Sequence, residues 1–373
     1  MIAAKVRFIA SLLETCRCVA VSIRDARNFR PGLWSKRANP PLRGHGGRYE
    51  CIADRIRILP DAAGPADPGL PGQVSPDLQR TLGQLTVGPA GTQAGLSVLW
   101  LVGGASKGPA AFEVLTLDEA RARGALTVVE RAQASVPDLI AENRGKAHVL
   151  LLAGEILIGG KQNRVLREDL LLPPLSGPRN VSVYCVEQGR WNEGRKDFES
   201  RSSVVQPSVR SEVLRKAEQG RIWSGVAAAS RNLQAASPTG SYQAVYDAPE
   251  VKAHLERATH RLEAIPAPGV VGAAVFVGAS LAGVDAFHAG GLFTREWPKL
   301  LRAYALDTYR TAPTGWDEAA ARSRVDGLLR GAARVEGTLR ASVGVGRLFE
   351  FALDKHRGAA LLFEGRAVHV AIL

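Results

Sequence analysis

Between His148 and Trp191 two apolar runs each empty into a cluster of groups able to donate hydrogen bonds, accept them or carry charge. The first run, His148 to Ile158, holds one carboxylate, Glu155, and ends in Gly159-Gly160-Lys161-Gln162-Asn163-Arg164. The second, Val181 to Val186, ends in Glu187-Gln188-Gly189-Arg190-Trp191. Loops held by rigid strands carry most binding and catalytic groups. The chemistry on offer is recognition of an anionic small molecule. Lys161 and Arg164 would hold its oxygens, Gln162, Asn163 and Gln188 would orient it, and Arg190 would neutralise developing charge. Trp191 supplies a face for a flat ring, and Glu155 or Glu187 would act as acid or base.

Each of these residues also has a plainer role open to it. Gly159-Gly160-Lys161 could form a backbone nest for a phosphate or a tight turn with a solvated lysine. It is not a nucleotide-binding P-loop, which would need glycine where Glu155 stands and Ser or Thr where Gln162 stands. Glu155 precedes Ile156, Leu157 and Ile158, so it is expected to be buried. A buried carboxylate without a partner becomes protonated, so Lys161, Arg164 or Arg190 is expected beside it, as a structural pair or as part of a reactive site. Cys185 follows Val181 and Val183 inward as a small buried hydrophobe. Asp285 and His288 are close enough in sequence to approach one another. No HExxH spacing occurs, and no metal or cofactor is assigned; Glu155, Glu187, Asp285 and His288 are the set that a metal would have to gather. Phe293, Trp297, Leu300, Leu301 and Tyr304 form a helical stripe of core type.

Charge excludes one broad class. The net charge of +12 over 373 residues resembles a nucleic-acid binder, yet the first 60 residues hold 12 Lys+Arg against 4 Asp+Glu and so supply +8 of it. The remaining body lacks the dense basic face that counterion-release binding requires. Three of the four cysteines (Cys16, Cys18, Cys51) also lie in that leader, so no disulfide framework or paired-cysteine zinc site is indicated, and a reducing, cytoplasmic location is expected. Glu14 and Arg17 interrupt the apolar stretch that would make a signal peptide. The apolar run Val149 to Ile158 is too short to span a bilayer, so no membrane association is expected.

Residues 1–75 lack periodic patterning and close in a Pro/Gly-rich tract; they read as a disordered basic leader and linker, with residues 76–373 as a single domain. Met1 is the only methionine, which fits a reading frame drawn too far upstream. Strands are expected at Leu96 to Val102, Ala125 to Arg131, His148 to Ile158, Val181 to Glu187, Gly272 to Gly278 and Ala282 to Phe287. A C-terminal hairpin is expected to turn at Glu364-Gly365. Helices are expected at Ser208 to Gln219, capped by Ser208 and stopped at Gly220, and at Ile222 to Ala236, Pro249 to Ala264, Thr294 to Tyr309 and Trp316 to Ala333. Helices grouped between strand pairs imply an α+β fold with a mainly antiparallel or mixed β-sheet.

The segment Gly154-Glu155 through Arg164, with Cys185-Val186-Glu187-Gln188-Gly189-Arg190-Trp191, resembles a bacterial family of unassigned activity named for its association with ADP-ribosylglycohydrolase and rhodanese-phosphatase genes. The resemblance continues through Ser135-Val136-Pro137, Glu142-Asn143-Arg144, Gly283-Val284-Asp285-Ala286-Phe287, Phe293, Trp297-Pro298-Lys299-Leu300-Leu301 and Tyr304-Ala305-Leu306, over roughly residues 83–373. It implies a ligand of the ADP-ribose or NAD-derived class, and it brings no established catalytic residues. Two functions follow as expectations. The first is binding, with hydrolytic processing as an extension, of a phosphorylated or nucleotide-like small molecule between segments 155–164 and 187–191. The second is a non-catalytic scaffold that engages the product of a neighbouring gene, its polar cluster being structural. Oligomeric state is not legible.

Overall fold

The computed structural model describes residues 69–103, 112–135, 137–191, 196–311 and 314–373. The expected leader therefore lies outside the described residues, except for its last few positions. These form a strand, Leu70–Val74, at the edge of a nine-stranded sheet, paired antiparallel with Glu336–Ala341.

That sheet also contains Leu96–Gly103, the hairpin Val270–Val277/Ser280–Phe287, and the C-terminal meander Arg347–Leu353, His356–Phe363 and Arg366–Ile372. The C-terminal turn sits at Glu364 (φ 48°) and Gly365 (φ 74°), two left-handed residues in a row, as a two-residue turn matched to strand twist requires. Alternation sends the strands' side chains to two separate cores. Leu99, Leu101, Ala274, Phe276 and Val284 pack with Leu78 and Leu82 of the helix Pro76–Gly83 and with Val325 and Leu329 of the helix Glu318–Ala332. Val98, Trp100, Ala273 and Val275 face the helix Gly290–Ala305 through Phe293, Trp297 and Leu300.

A six-stranded sheet holds Glu155–Gly159, Arg164–Leu166, Gly177–Cys185, Phe198–Val204, Asp138–Asn143 and Leu126–Ser135; a three-stranded sheet holds Leu170–Leu172, His148–Leu151 and Val114–Thr116. The last two of these pair in parallel, while the other pairings are antiparallel. The protein is thus α+β with antiparallel and mixed sheets. No helix among the described residues is long and apolar enough to cross a membrane.

Two expected elements divide. The run His148 to Ile158 breaks at Leu152–Gly154, with Gly154 at φ 94°, and its halves enter different sheets. The Glu155 carboxylate accepts the Leu152 N–H at 2.7 Å, so the buried acid itself closes the turn. The helix expected over Ser208 to Gln219 starts one residue earlier at Pro207, where a missing N–H costs nothing, with Gln206 as cap instead of Ser208. It ends at Leu214 ahead of the left-handed Lys216 (φ 53°), and Gly220 lies inside the next helix, Gln219–Asn232.

The helix Pro76–Gly83 should be required for stability, whereas residues 1–68 should not. Ser75 accepts the Leu78 N–H at 3.1 Å as its cap, and Leu78 and Leu82 are buried. Leaving two buried leucines without replacement costs roughly 2–5 kcal/mol each. A chain beginning at Gly69 should melt within about 2 °C of the full chain, and one beginning at Gln84 should melt more than about 5 °C lower. Equal melting temperatures for the two truncations would show that this helix is not part of the core.

Candidate functional site

The two motif-bearing strand ends meet. Arg190 reaches across and donates from Nη1 to the Gly160 carbonyl at 2.9 Å, and from Nη2 to the Gly159 carbonyl at 3.1 Å and to Asn163 Oδ1 at 3.0 Å. Its Nε donates to Glu187 Oε2 at 2.8 Å. Glu187 also accepts the Asn163 N–H at 3.0 Å and the Thr239 hydroxyl at 2.6 Å. Burial would raise its pKa, but Arg190, Thr239 and the Asn163 amide bring it below the ordinary carboxylate value. Glu187 is therefore held ionised, as the anchor of a strap.

The glycine turn is similarly occupied. The Gly159 N–H donates to Asn163 Oδ1, the Gly160 N–H to the Asp197 carbonyl, and the Lys161 N–H to Glu130 Oε1, all within 3.1 Å. Of these three amides, the one that meets an anion is that of Lys161, and the anion is the chain's own Glu130. A Cβ on Gly160 would lie 2.2 Å from Phe198 Cζ and 2.6 Å from Glu130 Oε1, so close packing demands glycine here. The Lys161 ammonium sits 4.9 Å from the centre of the half-exposed Trp191 ring. Gln162 accepts from Arg164 Nη1 at 3.1 Å and from the Cys185 thiol at 3.3 Å, and its amide donates to the Gln188 carbonyl at 3.4 Å. Cys185 is buried as expected, and its cross-strand neighbour is Arg164, a cation the sequence did not place there. Arg164 is itself fully buried, with Nη2 only 3.9 Å from Glu130 Oε1.

Beside the strap opens a cleft of about 480 Å³, lined by Gln188 from the strand end, Trp223, Val226 and Arg231 from the helix Gln219–Asn232, and Ser237 and Gly240 from the segment that follows. Its volume falls within the typical range of small-molecule pockets, about 300–1,000 Å³.

Glu155 does not join this group. Its cation is Lys299, in place of the expected Lys161, Arg164 or Arg190. The Lys299 ammonium also contacts Glu296 at 2.6 Å and Asp118 at 3.2 Å. Glu155, Glu296 and Lys299 are each at most 3% exposed. One ammonium cannot neutralise three carboxylates in a medium that disfavours ions. Burial drives the Glu155 carboxyl up to about 7 against the pull of Lys299, and raises Glu296 as well, whose Oε1 meets no donor. Burial would lower Lys299, but Glu155 and Glu296 hold it far above its ordinary range.

A second buried network starts on the same turn. The Ala153 N–H donates to Asp169 at 2.8 Å, and the Ala153 carbonyl accepts from Arg210 Nε at 3.0 Å. His369 lies between Asp169 (Nδ1, 2.6 Å) and Asp285 (Nε2, 3.0 Å), while Asp285 also receives Arg210 at 2.8 Å and the Tyr304 hydroxyl at 2.6 Å. Burial would lower His369, yet the flanking aspartates raise it to about 9. Burial would raise Asp285, yet Arg210 and His369 hold it far below the carboxylate range. The histidine partner of Asp285 is thus His369, 84 residues away, and not His288, which stacks on Phe112 at 5.2 Å. Glu155, Glu187, Asp285 and His288 each serve a different partner. Among the described residues there is no group of three or more His, Cys, Asp or Glu that could hold a metal ion.

Both networks contribute to the pH dependence of stability; Asp307, which burial pushes up to about 7, adds to them, and His148, His254, His288 and His356, which burial lowers, oppose them at acidic pH. Glu155 titrates near 7 in the fold against an ordinary 4.5, so its ionisation penalises the folded state as pH rises from about 5 to 7. His369 contributes fully below its ordinary 6.5, and that contribution is lost as pH rises through 9. Both act in one direction, so the melting temperature should fall by at least about 5 °C between pH 6 and pH 9. Glu155→Gln should flatten the part between pH 5 and 7. A melting temperature independent of pH over this interval would contradict the raised pKa of Glu155 and His369.

The family model of the ARG and Rhodanese-Phosphatase-superfamily-associated Protein domain matches residues 84–373. No curated protein and no solved structure matches the chain. The matched span begins directly after the helix Pro76–Gly83 and takes in the strap, the cleft and both buried networks, and the chain belongs to this ARG and Rhodanese-Phosphatase-superfamily-associated Protein family.

Proposed function

We propose that the protein binds a phosphorylated or nucleotide-like small molecule, of the ADP-ribose or NAD-derived class, in the cleft beside the 187–191 segment. The observation that carries this reading is the cleft of about 480 Å³, where Gln188, whose carbonyl is tied to Gln162, lines a space also bordered by Arg231 and Trp223. The strap holds that wall in place, so binding would require little reorganisation. In this reading Arg190 and Glu187 position the wall, while Lys161 and Trp191 stand on the outer side of the same turn. The cysteine usage fits a reducing, cytoplasmic setting. Hydrolytic chemistry is not assigned to Glu187, whose lone pairs are committed to Arg190, Thr239 and Asn163, nor to Glu155, which is sealed in the core.

A second reading, a non-catalytic scaffold whose polar cluster is structural, is favoured by one observation. The Arg190 guanidinium, the Glu187 carboxylate and the amides of Gly159, Gly160 and Lys161 already have partners inside the fold.

Thermal-shift titration separates the two. A ligand at a hundredfold excess over its Kd stabilises by about 2.7 kcal/mol, a rise of several degrees. ADP-ribose or AMP at millimolar concentration should give such a rise, and Gln188→Ala, at an exposed position, should weaken it with little change in the apo melting temperature. Arg190→Ala should lower the apo melting temperature, by roughly 2–4 kcal/mol, whether ligand is present or not. Absence of a shift with ADP-ribose, AMP and NAD alike would leave the scaffold reading.

A further inference from the structure

The helix Gln219–Asn232 lines one side of the cleft and is tied at both ends to the strand whose continuation, Gln188, lines another. In its first turn, Gln219 donates from Nε2 to the Cys185 carbonyl at 2.8 Å and accepts the Cys185 N–H on Oε1 at 2.9 Å, as a neighbouring strand would. Past its last turn the chain reverses at the left-handed Gln234 (φ 51°), and the Ala235 N–H returns to the Ser230 carbonyl at 2.9 Å. It reverses again at Gly240 (φ 64°), ahead of Ser241, which Asn163 Nδ2 holds at 3.0 Å, and Tyr242, whose N–H donates to the Val186 carbonyl at 2.9 Å. Residues 236–240 run between these anchors as the rim of the cleft.

Ala236, Ser237 and Gly240 of this rim line the cleft, whereas Thr239 does not. The Thr239 hydroxyl donates to Glu187 Oε1 at 2.6 Å, and its carbonyl accepts the Gly189 N–H at 2.7 Å. Among the described residues, these are the hydrogen bonds that join residues 236–240 to the strand end. The two backbones are close here, since a Cβ on Gly189 would lie 3.0 Å from Thr239 Cα. Glu187 therefore serves both sides: Oε2 takes Arg190 Nε and the Asn163 N–H, which build the wall, and Oε1 takes the rim. Ala236, Pro238 and Gly240 are exposed, so packing holds the rim weakly and hydrogen bonds decide its position. A hydroxyl bond to a carboxylate is roughly twice as strong as one between neutral groups. We propose that Thr239 is a positioning residue of the cleft, its hydroxyl pinning the rim to the rigid wall and so setting the width open to a ligand. This deepens the small-molecule reading given above and rests on it.

Hydrogen exchange of the full chain, followed by mass spectrometry, reads the rim without any ligand. Thr239→Val keeps the shape and removes the donor, so the amides of residues 236–241 should exchange about tenfold faster than in the unaltered chain. The melting temperature should fall by no more than about 4 °C, because Glu187 retains Arg190 and the Asn163 amide. Thr239→Ser, which keeps the hydroxyl, should exchange like the unaltered chain, and Thr239→Ala is a second donorless variant should Thr239→Val not fold. Isothermal titration with AMP and ADP-ribose then reads the site: affinity should fall about tenfold in Thr239→Val and be restored in Thr239→Ser. A merely structural bond would leave that affinity unchanged once the variant is folded. Unchanged exchange in both donorless variants would overturn the pin, and faster exchange with unchanged affinity would overturn the positioning role, each leaving the small-molecule reading intact. Failure of AMP, ADP-ribose and NAD to bind the unaltered chain would remove that reading and the positioning role with it, whatever the exchange of the rim.

Discussion

The buried ammonium of Lys299 ties together three separate elements of the fold. It contacts Glu155 from the six-stranded sheet, Asp118 from the helix Leu117–Ala122 and Glu296 one turn away on its own helix, Gly290–Ala305. That helix in turn packs Phe293, Trp297 and Leu300 against one face of the nine-stranded sheet. Removing a single partner would leave the others charged in a dry interior, which costs far more than an exposed pair contributes.

The turn Leu152–Glu155 makes this interaction structural for the whole fold. Glu155 faces Lys299, while one residue pair away Ala153 serves Asp169 through its N–H and Arg210 through its carbonyl. Arg210 and His369 then tie Asp285 in the C-terminal sheet to the same point. Two ionic networks are therefore joined through one short backbone segment, and Gly154 at φ 94° allows that segment to turn. The Arg190–Glu187 strap is a third, separate network, nearer the surface, and it fixes the wall that carries Gln188. A rigid wall beside an open cleft is the combination that favours binding, since little conformational freedom is then lost when a ligand arrives.

Burial also divides the roles among the acids. Glu187 keeps its charge because donors surround it, whereas burial, with Glu296 and Asp118 nearby, raises Glu155 against the pull of Lys299. Residue type alone treats these two glutamates as equivalent, and both were candidates for acid or base chemistry. Their environments assign them to structure, and the cleft is lined by other residues, Trp223, Arg231 and Gln188 among them.

Much of the architecture was legible in local pattern. Period-2 runs located Leu96–Gly103 and the two hairpins ending at Phe287 and Ile372, because alternation is imposed by a single buried face; the helical stripe around Trp297 was identified for the same reason. Segments 155–164 and 187–191 were expected to converge, and Gly159, Gly160 and Asn163 do meet Arg190, but Glu155 turns away to Lys299. Partner choice was not legible. Lys299 is hidden in an apolar stripe 144 residues from Glu155, and its signal was only that a lysine and a glutamate stand one turn apart on a face that should have been wholly apolar. His369 and Arg210 lie in runs whose periodicity is satisfied with or without them. Local sequence fixes which way a side chain points, through backbone geometry over a few residues. Which distant charge it meets depends on how sheets and helices stack, and so only the tertiary structure could decide that Glu155 belongs to the core and that the open space lies along the helix Gln219–Asn232.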